Sequence, residues 1–347
     1  MSKKVTLKDV ARRAGVSYQT VSKVLSGQKR VTPEVRDRIY AAVEELDYRP
    51  NVAARNLRTQ SSYLLGYSWQ PDRHYYFNPV LEEFQQSVVE AAEELGYHIL
   101  LFPQRQGQDL VEIYQELVLT GRVDGFILSG LEYYDPRVPA LNRLNVPLVA
   151  FGRTDSDHAF PYVDVDGQAG IYLAARHLMD LGHERIAILC WPETSRVGTE
   201  RLSGYLQAME EAGLPIDPAW IVRGETEYDF GYGATPQLLD LPLDRRPTAI
   251  VTMHDLIALG TISAVQERGL RVGHDIAVTG FDNVPVVRYF RPGLTTLQQP
   301  VWDVGQRVVQ MLISLLKNED VETQQVLLTP KLVIRESTQP YSPEDTE

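Results

Sequence analysis

From about residue 63 onward the chain alternates short apolar runs with longer amphipathic stretches, and this alternation constrains the fold more than any other feature. Runs such as Gly-Phe-Ile-Leu at 125–128 are apolar at consecutive positions, not at every second one. A strand of that kind is buried on both faces, which is the habit of parallel sheets covered by helices. The spacing predicts strands at 63–69, 98–102, 125–129, 148–151 and 162–165, then a second series at 185–190, 221–223, 249–253 and 277–281. Helices are expected at 81–95, 110–121, 167–181, 200–212, 255–268 and 301–316. Two successive series imply an α/β body of two similar parallel-sheet subdomains. Ligands of such sheets lie beyond the carboxyl ends of the strands. Two facing sheets therefore enclose a cleft.

The first sixty residues follow a different rule. Leu7, Val10, Ala11 and Ala14 recur at helical spacing and form one buried stripe. Gly15 permits a sharp exit, because a positive φ costs glycine little. Val16 plugs the turn and Ser17 is placed to cap the next helix. Val21, Val24 and Leu25 face inward on that helix, leaving Tyr18, Gln19, Ser22 and Lys23 outward. A third helix starts after Thr32 with Pro33 in its first turn, a favoured place for proline. Val35, Ile39, Ala42, Val43 and Leu46 close a small core. Such an all-α helix-turn-helix unit lays its second helix in the DNA major groove. Gln pairs with adenine there and Lys reaches guanine acceptors. Beyond Pro50, Asn51 can cap a further short helix that carries Ala54 and ends near Leu57, flanked by Arg55 and Arg58. That segment is either a linker helix packed on the body or a hinge helix with Leu57 wedged into the minor groove.

Charge divides along the same boundary. Residues 1–60 hold 13 Lys/Arg against 6 Asp/Glu, net +7; the remainder holds 21 against 40, net −19, giving the −12 of the whole chain. A basic module on an acidic body means that the front end alone meets a polyanion. The lone Cys190 leaves no internal disulfide and no cysteine-built metal site. No apolar run approaches the length of a membrane helix, and Met1-Ser2-Lys3-Lys4 leads into a polar helix, so a cytoplasmic protein is expected. There is no dinucleotide fingerprint, no phosphate loop and no nucleophile elbow, and the histidines lack metal-ligand spacing. His177 and His183 read as helix-surface and loop residues. No enzyme activity, cofactor or metal is expected.

Residues 5–59 resemble the DNA-binding head and hinge of the lac-repressor/gal-repressor family of bacterial transcription regulators. The triplet Tyr18-Gln19-Thr20 matches the lac repressor's base-reading triplet; Lys23 stands where that repressor has arginine, a departure that bears on operator preference. The resemblance extends over 63–335, carried by the phrases at 123–128, 151–153, 177–187, 201–205 and 276–282. It implies a head at 1–49, a hinge helix and linker at 50–61, an effector-binding and dimerisation body at 62–340 with the fold of periplasmic sugar-binding proteins, and a tail at 341–347. The set expected at DNA is Leu7, Ser17, Tyr18, Gln19, Thr20, Ser22 and Lys23, joined by Asn51 for phosphate contact, Ala54 for the minor-groove approach and Leu57 as the wedge.

For the cleft, position nominates Arg153 and Asp282, each just past an apolar strand. Their charged, directional hydrogen bonds suit sugar hydroxyls. Tyr76, Phe77 and Trp191 offer aromatic faces. The resemblance adds Arg201 as the arginine that contacts effector hydroxyls, Asp282 as the aspartate opposite it, His254-Asp255 where many members have Asn-Asp, and Arg105 and Tyr162 as pocket-lining positions. Structural roles compete: Asp255 as a helix cap, Trp191 as core, Arg153 as the partner of an acidic neighbour. The expected function is a repressor that binds operator DNA as a homodimer under the control of a small carbohydrate. The alternatives are a nucleoside, a nucleobase or a partner protein as the signal, or a sugar-metabolising enzyme fused to a DNA-binding head. The end of the chain, with Pro340 and Pro343 and no apolar repeat, argues for a dimer without a tetramerising helix.

Overall fold

The computed structural model describes residues 5–25, 31–49, 56, 61–69, 78–104, 109–155, 159–225, 228–321 and 324–340. The chain divides into two compact units, Met1–Ser62 and Tyr63–Glu347.

In the first unit, α1 (Leu7–Ala14), α2 (Tyr18–Leu25) and α3 (Pro33–Glu45) surround Val10, Ala11, Ala14, Val21, Val24, Ile39, Ala42 and Tyr48. Asp9 closes the start of α1 by accepting from the Thr6 backbone N–H at 2.9 Å and its hydroxyl at 2.6 Å. Gly15 ends the helix at φ 65°, where a side chain would be strained. Arg13 and Glu45 tie α1 to the end of α3 at 2.6 Å.

The second unit holds two six-stranded sheets. The first runs in the order β11 (Gln325–Leu328), β5 (Tyr162–Val165), β4 (Leu148–Phe151), β3 (Gly125–Leu128), β1 (Leu64–Trp69), β2 (His98–Pro103). Every neighbouring pair in it is parallel. The second runs β12 (Lys331–Val333), β10 (Thr295–Gln298), β9 (Ala277–Asp282), β8 (Ala249–Thr252), β6 (Ile186–Cys190), β7 (Ile221–Arg223), with β12 alone antiparallel. The central strands are buried end to end, as the consecutive apolar runs require.

Helices α4 (Pro79–Glu94), α5 (Glu112–Leu119), α6 (Arg137–Arg143) and α11 (Val301–Leu316) belong to the first lobe. The second lobe takes α7 (Gly167–Asp180), α8 (Arg196–Glu211), α9 (Tyr228–Leu239) and α10 (Asp255–Glu267). The chain passes between lobes at Asp166, at Gln299-Pro300 and at Thr329-Pro330. The subdomains are thus interwoven: α11 follows a second-lobe strand yet packs on α4 and on β3–β5. His183 lies in the loop between α7 and β6, as expected, but is buried there at 1% exposure, with Nδ1 3.0 Å from the Thr248 hydroxyl.

Candidate functional site

The head presents α2 as its reading edge. Val21 and Val24 are buried, which turns the opposite face outward. Tyr18 is 52% exposed, and Gln19 and Lys23 are exposed. Thr20 and Ser22 are half-buried. The Ser17 hydroxyl caps α2, accepting from the Thr20 backbone N–H at 3.0 Å, and lies 2.8 Å from the Thr20 hydroxyl. These two hydroxyls set the start of the helix. Leu7, expected at DNA, is half-buried against the head core. Asn51, Ala54 and Leu57 lie outside the described residues, as do Tyr76, Phe77 and Arg105.

In the body, Trp191, His254 and Asp282 stand at the carboxyl ends of β6, β8 and β9. Arg201 reaches them from the second turn of α8, whose start is capped by Ser195 accepting from Gly198 N at 3.2 Å. The Arg201 guanidinium carbon lies 3.7 Å from the Phe281 ring centre and 4.9 Å from that of Trp191. A cation against aromatic faces retains part of its stabilisation when buried. Arg201 Nη1 donates to the Met253 carbonyl. Burial pulls its pKa below the ordinary value, and Asp282 is the foremost opposing charge.

Asp282 sits at φ 112°, a sparsely populated backbone region for a residue with a side chain. Its Oδ1 accepts from Gln299 Nε2, in the second lobe crossing. Its Oδ2 is buried 3.0 Å from His254 Nε2 and makes no well-formed hydrogen bond. His254 Nδ1 accepts from Leu256 N at 3.1 Å, capping α10 and turning Nε2 toward Asp282. Trp191 Nε1 and Arg201 Nε are likewise buried without partners. Orphaned polar atoms are costly in a folded interior, and water or a ligand can complete their bonding.

Three nominated residues have their side chains engaged or placed away from the strand ends. Asp255 is fully buried, and both its oxygens are engaged: Oδ1 accepts from the Thr296 hydroxyl at 2.6 Å and Oδ2 from Val284 N at 2.8 Å. It braces the strand ends that carry Asp282, while the helix cap is His254. Burial first and the Asp282 charge second push its carboxyl up to about 7. Tyr162 stands at the amino end of β5, half-buried beside Phe160 at 5.9 Å, away from the strand ends where the cleft opens.

Arg153 faces the cleft but is gripped by acids. Nε donates to Asp164 at 2.8 Å and Nη2 to Glu200 of the other lobe. Burial disfavours its charge, yet the two carboxylates outweigh that and raise its pKa. Burial raises Asp164, and Arg153 opposes the rise. Arg196 repeats the bridge: its backbone N donates to Glu132 at 2.8 Å, Nε lies 3.4 Å from Asp155, and Nη1 lies 3.3 Å from Glu200. Glu132, Asp164, Arg196, Glu200 and Gln299 were not singled out from the sequence. Asp164 and Gln299 near strand ends, and Glu200 beside Arg201, were the available signals.

A helix-turn-helix head on a two-lobed, mostly parallel α/β body with a polar cleft defines a DNA-binding transcriptional regulator. The family model "Bacterial regulatory proteins, lacI family" matches residues 6–51, and that of a periplasmic binding protein-like domain matches 175–338. The chain is 35% identical over 335 residues to the HTH-type transcriptional repressor PurR of Klebsiella pneumoniae subsp. pneumoniae and 33% identical to that of Escherichia coli, each match covering 96% of both chains. The structure superposes on a lac repressor dimer bound to operator and the anti-inducer ONPF with TM-score 0.81 and 30% identity, covering 97% of this chain and 100% of that one. A lacI-family regulatory protein from Chloroflexus aggregans gives 0.77 at 43% identity over 80% of this chain and 99% of its own. A CelR–cellobiose complex gives 0.72 at 29% identity, covering 96% and 99%. The chain belongs to the lacI family of bacterial transcriptional regulators. No helix among the described residues is long and apolar enough to cross a membrane.

Proposed function

We propose that this regulator is a cytoplasmic repressor whose hold on operator DNA is controlled by a small carbohydrate bound between the two lobes. The observation that carries the reading is the trio of buried, unpartnered polar atoms at the cleft: Trp191 Nε1, Arg201 Nε and Asp282 Oδ2. A sugar hydroxyl donates and accepts at once, so vicinal hydroxyls satisfy a carboxylate oxygen and a guanidinium N–H together. Trp191 adds an aromatic face. Among the solved relatives, CelR is held with cellobiose. Arg201, Asp282, Trp191 and His254 are the residues assigned to the effector; Arg153 and Asp255 shape the walls around it.

The lobes meet through Arg153–Glu200 and Arg196–Glu132, and an effector that changes this meeting changes the lobe arrangement. Coupling between effector and operator is then reciprocal. Tyr18, Gln19 and Lys23 are assigned to base reading, and Asn51, Ala54 and Leu57 to the hinge contacts. A homodimer is inferred because helix-turn-helix heads read paired half-sites, and the related lac repressor binds its operator as a dimer.

The test is a thermal-shift screen of the full chain against sugars, nucleosides and nucleobases, since a ligand selective for the folded state raises the melting temperature. A sugar is expected to stabilise the wild type and to lose its effect on Asp282→Ala. Stabilisation by a nucleobase or nucleoside alone would replace the carbohydrate reading.

A further inference from the structure

We infer that the effector of this cleft is electrically neutral and that the site discriminates against phosphorylated or carboxylated versions of the same sugar. The inference rests on the cleft being the carbohydrate site, and it concerns the arginines that would ordinarily suggest an anion. Among the described residues, Arg153 is held by Asp164 and Glu200, and Arg196 by Glu132, Asp155 and Glu200. Neither retains an uncompensated charge for a ligand. Arg201 has no carboxylate at ion-pair distance, but Asp282, Asp164, Glu200 and Asp255 all act on it electrostatically. Among the described residues, the carboxylates around the cleft therefore outnumber the guanidiniums.

Hydrogen-bond chemistry gives the same result by a separate route. Asp282 Oδ2, in a residue 9% exposed, faces His254 Nε2 at 3.0 Å without a well-formed hydrogen bond, so it has room to accept from a ligand donor. A hydroxyl or a neutral amide supplies one; an ionised phosphate or carboxylate only accepts. A phosphate or uronate group bonded to Arg201 or Trp191 would place a like charge beside Asp282 in a largely buried site.

The test uses the full chain and matched ligands: a panel of neutral hexoses, pentoses and disaccharides, each beside its phosphate and its uronate, with inorganic phosphate as control. Thermal shift finds the binders and calorimetry measures them. A neutral sugar is expected to bind at least about a hundredfold more tightly than its charged counterparts, the scale set by a like-charge contact at low effective dielectric. Asp282→Asn is expected to narrow that ratio by weakening the neutral sugar and relieving the repulsion of the charged one. A charged sugar that binds as well as its neutral parent would overturn the inference while leaving the carbohydrate reading intact. An unchanged ratio in Asp282→Asn would overturn the assignment to Asp282. Binding by no sugar of either kind would overturn the carbohydrate reading and this inference with it.

Discussion

Arg153→Met should destabilise the body by about 2–3 kcal/mol, and most of that loss should depend on Glu200. Removing one partner from a fully buried ion pair costs about 3–5 kcal/mol, because it strands the other charge. Arg153 and Glu200 keep 15% and 17% of their side-chain surface exposed, so water softens the penalty. The stranded charges are also partly compensated: Asp164 still accepts from Val165 N at 2.8 Å, and Glu200 still faces Arg196 at 3.3 Å. Glu200→Gln keeps the shape and removes the charge that faces both Arg153 and Arg196, at about 1 kcal/mol. The double variant should then lose less than the sum of the two, with a coupling of about 1–2 kcal/mol for directly touching residues. Urea unfolding followed by tryptophan fluorescence suits the measurement. All four tryptophans, Trp69, Trp191, Trp220 and Trp302, lie in the body, so the head does not contribute. If the double variant lost the full sum, the bridge between lobes would carry no energy and the reasoning would fail.

Gly280→Ala should lower the melting temperature, since its Cβ would lie 2.2 Å from Asp255 Oδ1 and 2.8 Å from Leu294 Cδ2; overpacking of this kind costs about 1–3 kcal/mol. For Asp255, whose carboxyl is pushed up to about 7 from an unfolded value of about 4, the native chain holds a proton that the unfolded chain has lost between those values. Stability should therefore fall as pH rises from about 4 to about 7, and Asp255→Asn, which can still bond Thr296 and Val284, should flatten that fall; a wild-type profile in the variant would count against this assignment. Asp282→Ala should remove the effector response while leaving operator affinity in the absence of effector, measured by fluorescence anisotropy on labelled DNA. Gln19→Ala should relax base preference at one position per half-site, a loss of about 1–3 kcal/mol of discrimination visible in selection from a randomised operator.

Much of the architecture was legible because it is written at short range. The strand expected at 98–102 is found at His98–Pro103, and the helix expected at 301–316 is Val301–Leu316. The helix expected from 200 starts at Arg196, because Ser195 supplies a cap that the apolar pattern does not show. Helix α9 has no simple signature: it contains Pro236, and its Gly231 serves a neighbour, since a Cβ there would meet Ile257 O of α10 at 2.1 Å. Strands β10, β11 and β12 are short segments whose apolar residues gain meaning only from the sheets they join.

The site divides in the same way. Arg153 and Asp282 could be nominated because each follows an apolar strand, and strand ends are local information; Trp191 was nominated for its ring and His254 through the family resemblance. Whether a charged side chain there is open to a ligand depends on what a distant segment brings to it. Glu200 claims Arg153 from 47 residues away, and Thr296 claims Asp255 from 41. By itself, then, the sequence determined a helix-turn-helix head, a two-series α/β body and the strand ends that carry the chemistry, because residues within a few positions of one another set helical and strand periodicity. Only the tertiary structure decided that α11 returns to the first lobe, that Asp255 is a brace and Arg153 a bridge, and that Trp191, Arg201 and Asp282 keep unpartnered atoms, because a buried charge is defined by partners that the chain brings back from far along its length.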